Sequence, residues 1–234
     1  LMANDEGGAL ELANQLETMN QARRDLDEDL TEEAISQMAE QPPGRSCTIV
    51  TGEGWHRGVL GIVASRLIEQ RYCPAIVLSE ESEVLTGSAR SVPGIDIHAA
   101  FEECQHLIDQ FGGHPMAAGL TIRRENMAEF TKCLNKAIKT QTAGAIPQAS
   151  VAYHMPISLN ELNPVMYKEF ERLGPFGPGN EVPVFMAEGV VTSIPPRTVG
   201  HGGRHLKLVV QASENPENRF EAIGFGMGER IDEV

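Results

Sequence analysis

Apolar residues follow two different rhythms along this chain. Over residues 9–40, Leu12, Leu16, Met19, Arg23, Leu26 and Leu30 recur at alternating spacings of four and three. That spacing predicts one long helix, stopped by Pro42, Pro43 and Gly44. From 45 to 141 the pattern alternates. Short apolar runs at 47–51, 75–79, 84–90 and 118–122 read as strands, and 58–70, 97–110 and 127–140 as helices. Such alternation predicts an α/β layer domain. Residues 141–150 are small and uncharged and read as a linker. Beyond it, after a helix near 164–173, strand-like runs at 182–192, 205–212 and 219–226 are separated by Pro-, Gly- and Asn-rich turns. This second rhythm fits a small β-rich barrel of OB type.

One position breaks the helical seam. Arg23 stands where the pattern calls for an apolar residue, and a guanidinium on a buried stripe is costly unless paired. Its partner is expected to be either a carboxylate or a phosphate.

Charge sharpens the picture. The 234 residues carry a net charge of −14. Residues 1–41 hold eleven acids against two arginines, so this short segment supplies −9 and the rest only −5. The balance argues against a protein that coats nucleic acid indiscriminately, but not against a local groove lined by a few arginines. The four cysteines, Cys47, Cys73, Cys104 and Cys133, form no CxxC pair. They are expected to be reduced and mostly buried, in a cytoplasmic protein, with no zinc site or disulfide framework. No apolar run approaches the ~20 residues that span a bilayer. Leu1 in place of Met suggests a piece of a longer protein.

Four stretches could carry chemistry. In Phe111–Gly119 (FGGHPMAAG), Gly112 and Gly113 would let the backbone approach a ligand and present His114 from a tight loop. A simple packing turn is the competing reading. In 86–93 (TGSARSVP), Ser88, Ser91 and the planar fork of Arg90 suit a phosphate, although a polar hairpin would look similar. In 54–66 (GWHRGVLGIVASR), Trp55 and His56 could stack on a base or flank a ligand. Equally, Trp55 could plug the core while Gly58 and Gly61 allow close helix packing; Gly61 and Ala64 are expected to be packing residues in either case. In 196–207 (PRTVGHGGRHLK), Arg197, Arg204 and Lys207 make the most basic stretch of the chain, placed where OB folds hold single strands. A solvated hairpin loop is the alternative. No HExxH pair, GxSxG elbow or GxxxxGK[ST] loop occurs.

These strings, in this order, resemble the RecJ branch of the DHH phosphoesterase superfamily. FGGHPMAAGLTI resembles the GGHxxAAG signature of the DHH-associated domain. GWHRGVLGIVASRL and TGSARSVPGIDIHAAFEEC resemble its neighbouring blocks. MNQARRDLDEDL resembles the connecting helix after the catalytic domain, and GPFGPGNEVPVF and RHLKLVVQ resemble parts of the RecJ OB domain. The resemblance implies a connecting helix (1–41), an α/β DHH-associated domain (42–141) and a β-rich, OB-like domain (151–234). The last would lack one or two strands at its end.

It further implies part of a two-metal phosphodiesterase, using Mn²⁺ or Mg²⁺, that shortens single-stranded DNA from the 5′ end in repair and recombination. The metal ligands would lie in an N-terminal DHH domain with no counterpart here, leaving this piece alone inactive and without a cofactor. His114 would face the metal-bound phosphate as the catalytic residue. Ser88 and Arg90 would meet the terminal or near-scissile phosphate, and Arg23 would reach the 5′ phosphate. Arg197, Arg204 and Lys207 would guide the strand. Single-strand-binding protein or a helicase would be possible partners. Competing readings are a nanoRNase or cyclic-dinucleotide phosphodiesterase of the same superfamily, and a non-catalytic single-strand-binding module.

Overall fold

The computed structural model describes residues 5–42, 44–145 and 148–234. They divide into two units, 1–149 and 150–234. In the first, helix α1 (Glu6–Glu40) starts where the Asp5 carboxylate accepts the Gly8 N–H at 2.7 Å, a side-chain cap for an orphan amide. Then follow β1 (Thr48–Glu53), α2 (Leu60–Gln70), β2 (Ala75–Glu81), β3 (Val84–Arg90), α3 (Ile97–Glu103), β4 (Gln110–His114), β5 (Ala117–Arg123) and α4 (Met127–Gln141). The strands form one sheet in the order β1-β2-β3-β5-β4. Only β1 and β2 are parallel, joined through α2; every other pair is antiparallel.

Strand alternation divides the sheet into two faces. One face sends Ile76, Leu78, Leu85, Leu120 and Ile122 into a core with Phe101 of α3 and Phe130, Leu134 and Ile138 of α4. The other sends Val50, Ala75 and Val77 against Leu60, Val63 and Leu67 of α2 and Leu30, Ala34 and Met38 of α1. Each fully buried side chain of this size contributes roughly 1.5–3 kcal/mol through the apolar surface it removes from water. The second core is crossed by one ion pair. Arg66 of α2 donates to the Asp27 carboxylate of α1 at 2.5 Å, and Asp27 is only 2% exposed. Helices α3 and α4 are also joined covalently, by a disulfide between Cys104 and Cys133, and by mutual hydrogen bonds between Asp96 and Gln141.

Four expectations are corrected. The seam of α1 is buried only from Leu30 onward. Leu12, Leu16, Met19 and Leu26 are 48–69% exposed, so Arg23 lies in solvent, donating to Asn20 of its own helix at 3.1 Å. Its cost of burial therefore does not arise. The helix expected over 97–110 ends at Glu103, because 110–114 pairs with β5 as an edge strand. FGGH is thus a strand, and His114 stands at its end, where a two-residue turn of Pro115 and Met116 begins. Finally, two of the four cysteines are bonded and not reduced.

The second unit contains β6 (Met155–Pro156), α5 (Pro164–Glu171), β7 (Phe185–Met186), β8 (Val190–Thr192), β9 (Arg197–Val199), β10 (His205–Ala212) and β11 (Asn215–Gly224). Asn163 caps α5, with Pro164 in its first turn. The long strand β10 organises the sheet. It pairs with β11 along one edge, and with β9 and then β8 along the other. Such sharing of one long strand by two short partners suits a curled, OB-like sheet.

Candidate nucleic-acid interface

The second face of the sheet is covered by α1 over β1 and by α2 over β2 and part of β3, and it opens towards β5 and the edge strand β4. Residues directly opposite in antiparallel strands share a face. Arg90 pairs with Ala117, and Ala117 with His114. The three form one row across this face, with Arg90 and His114 about 10 Å apart at their Cα atoms by strand spacing. The next row is Ser88, Gly119 and Gly112, and the third Thr86, Thr121 and Gln110. The intervening residues Leu85, Ala89, Ala118, Leu120 and Ile122 are buried on the opposite face. Between the second and third rows lies a shallow hollow of about 350 Å³, lined by Thr86, Gln110, Gly112, Gly119 and Thr121; Arg90, Ala117 and His114 stand beside it and do not line it. No atom lies within 4 Å of where a Gly112 side chain would begin, so the missing Cβ leaves the floor open.

Local chemistry fixes these positions. Arg90 is half-buried. Its Nη1 donates to the Ala89 carbonyl at 2.9 Å, and its Nη2 fills the space a side chain on Gly61 of α2 would occupy. Gly113 has φ +147, and a Cβ there would run into the Ala117 carbonyl and Ala118, so only glycine fits. The β4–β5 turn is tied to the end of β3: Ser91 N–H donates to Met116 O at 2.9 Å and Ile97 N–H to Pro115 O at 3.0 Å. These bonds hold His114 and Arg90 in their common row.

Other expected site residues are placed differently. Trp55 is 8% exposed. Its ring lies over Gly52 and its Nε1–H donates to Glu33 of α1 at 3.1 Å, so it belongs to the core, not to a stacking surface. Ser91 is buried, with its hydroxyl spent on Ile95 O at 2.8 Å; it shapes the turn and offers no ligand donor. His56 is exposed on the turn leading to α2, where its Nδ1 accepts the Gly58 N–H. Arg23 is exposed on α1, where it donates to Asn20.

Gly61, Thr86, Gln110 and Thr121 were not expected in the site. The last three were legible from the alternation of β3, β4 and β5, once FGGH is read as a strand. Gly61 was not, because its function depends on an arginine 29 positions away.

In the second unit, Arg197 pairs in register with Lys207 on one face of the sheet, and Arg204 lies exposed in the loop before β10. Lys207 donates to Glu221 at 3.0 Å, which offsets its charge. Arg197 and Arg204 make no ion pair among the described residues. Nor do three His, Cys, Asp or Glu side chains of the described residues converge as metal ligands. No described helix is long and apolar enough to cross a membrane.

Two family models match the chain, a DHHA1 domain over residues 44–140 and a RecJ OB domain over 153–234. The single-stranded-DNA-specific exonuclease RecJ of Bacillus subtilis (strain 168) is 34% identical across 98% of this chain, which covers 29% of that protein. The namesake from Haemophilus influenzae is 32% identical across 99% of this chain, which covers 41% of it. Among solved structures, RecJ from Thermus thermophilus in complex with Mn²⁺ superposes with a TM-score of 0.75 at 25% identity. That match covers 95% of this chain and 32% of the solved one. The chain therefore spans well under half the length of these relatives.

Proposed function

The chain belongs to the RecJ family, carrying a DHHA1 domain followed by a RecJ OB domain, and from that premise we propose that it is the strand-holding part of a single-stranded-DNA-specific 5′→3′ exonuclease of DNA repair and recombination. The parts are a connecting helix (1–41), a DHHA1 domain (42–141) and an OB domain (151–234). The observation that carries this reading is the row Arg90–Ala117–His114, which runs from the edge of α2 to the exposed strand β4 beside Gly112 and Gly119. A phosphate set over Ala117 meets a guanidinium from one side and an imidazole from the other. Ser88 offers a hydroxyl from the next row. Charge-assisted hydrogen bonds from arginine to phosphate are among the strongest available at a protein surface. The glycines beside the row let the sugar-phosphate backbone lie close to the sheet.

In this proposal Arg90 and Ser88 bind the terminal phosphate, and His114 contacts the phosphate at which hydrolysis occurs. Arg23 reaches the 5′ end from its exposed helix, while Arg197 and Arg204 draw in the remaining strand. The Mn²⁺ or Mg²⁺ required for hydrolysis is supplied by other parts of the full-length enzyme. The working compartment is the cytoplasm, with single-strand-binding protein or a helicase delivering the strand.

The test is fluorescence anisotropy of labelled single-stranded oligonucleotides with this chain, at low salt and across a salt series. Binding that weakens steeply with salt, and prefers a 5′-phosphate to a 5′-hydroxyl, supports the reading. No binding at low salt sinks it.

A further inference from the structure

The OB unit carries an aromatic group that none of the roles above uses. Phe225 follows β11 directly and is 76% exposed. Its position is fixed. Leu206 pairs with Gly224, which sets Phe225 beside His205 at the start of β10. The two rings meet edge to face, with centroids 5.4 Å apart at 74°. The next amide, Gly226 N–H, donates to His205 Nδ1 at 3.0 Å, orienting the imidazole from behind. The backbone then closes onto the basic loop, where Gly228 N–H donates to Arg204 O at 3.1 Å and Gly228 is buried.

The surroundings suit one kind of ligand. Register places Arg197, Lys207 and Ile223 side by side on this face of the sheet. Ile223 is 48% exposed and adds an apolar step next to the ring. Arg197 and Arg204 are free to meet phosphates, whereas Glu221 occupies Lys207. A solvent-facing ring, with Arg197 two strands away on the same face and Arg204 one residue before His205, combines a π surface with charge for the backbone, the combination that holds unstacked bases. A peptide partner would want the apolar residues without the arginines. A folded duplex would hide its bases from the ring.

We propose that Phe225, backed by His205, is a stacking platform for one base of a single strand, with Arg197 and Arg204 taking the flanking phosphates. Stacking accepts every base because each has a π face, so the platform contributes affinity and strand-state selectivity without sequence preference. The inference rests on the reading that this chain holds single-stranded DNA.

A Phe225→Trp variant tests it, since Trp55 is the only native tryptophan and is buried. Oligothymidylate should quench the introduced indole, while an abasic oligomer of equal length should not. Phe225→Ala should weaken oligothymidylate binding by about tenfold, the scale of a lost base–aromatic stack, and leave abasic binding unchanged. Arg204→Ala should weaken both. If anisotropy shows oligothymidylate bound yet the indole is not quenched, the platform is wrong and the strand-holding role stands. If the unsubstituted chain binds no single strand, both fall. Equal losses of Phe225→Ala on the two oligomers would mean a structural effect and would also overturn the platform.

Discussion

The Nη2 of Arg90 occupies the volume in which a side chain on Gly61 would begin. Gly61 is the second residue of α2, where alanine is favoured over glycine by up to about 1 kcal/mol, so some helix stability is given up to house a guanidinium. Gly61→Ala should therefore leave the thermal midpoint unchanged or slightly raised. It should weaken binding of a 5′-phosphorylated strand almost as much as Arg90→Ala, by about 1.5–3 kcal/mol for a lost charged hydrogen bond. Differential scanning fluorimetry and anisotropy on the same two variants check this. A fall in stability with unchanged binding would break the link.

The two glycines of FGGH should respond oppositely. Gly113→Ala forces a Cβ into Ala117 and a non-glycine residue into φ +147. It should cost roughly 2–4 kcal/mol in urea unfolding, from strain plus the disturbed β4–β5 pairing. Gly112→Ala meets no atom within 4 Å. Its stability should change by less than about 1 kcal/mol, the scale of a glycine-to-alanine change that the backbone tolerates. Its methyl group nevertheless enters the hollow and should weaken strand binding.

Trp55 should be silent to ligand. With its indole over Gly52 and bonded to Glu33, its emission should not change when single-stranded DNA is added. Trp55→Ala should destabilise the chain by about 3–5 kcal/mol, the cost of an aromatic cavity. Strong quenching of native Trp55 by a bound strand would contradict its burial.

Thiol chemistry should divide the cysteines in pairs. Burial raises the Cys47 and Cys73 thiols above their ordinary range, so both stay protonated and should react slowly with a disulfide reagent in the folded chain. Cys104 and Cys133 should show no free thiol until reduced. The bond closes a separation of 29 residues that contains the whole β4–β5 hairpin. Its reduction should cost roughly 3–4 kcal/mol on loop entropy alone. Thiol counts with and without a mild reductant, paired with thermal melts, check both statements.

The fold was legible in the sequence where one rhythm sufficed. The long helix, the parallel β1–α2–β2 unit and the strands around Ala118 and Leu206 follow from apolar spacing. What escaped depended on contacts between distant segments. FGGH reads as a loop because two glycines weaken a strand, and only its pairing with 117–121 makes it one. The seam around Leu16 reads as buried because periodicity reports an apolar stripe and not what covers it. Evenly spread cysteines suggest no bridge, since the approach of Cys104 to Cys133 is set by the packing of α3 on α4.

Ala117 does no chemistry of its own, yet it sets a gauge. Because Arg90 and His114 are each one strand away from it, the span between their Cα atoms is fixed by the pitch of a hydrogen-bonded sheet, not by a hinge or a loop. Such a gap cannot be widened to suit a bulkier guest without breaking ladder bonds on both sides of β5. Selection by size is thus written into the main chain, and a side chain larger than methyl at this single position would close the lane.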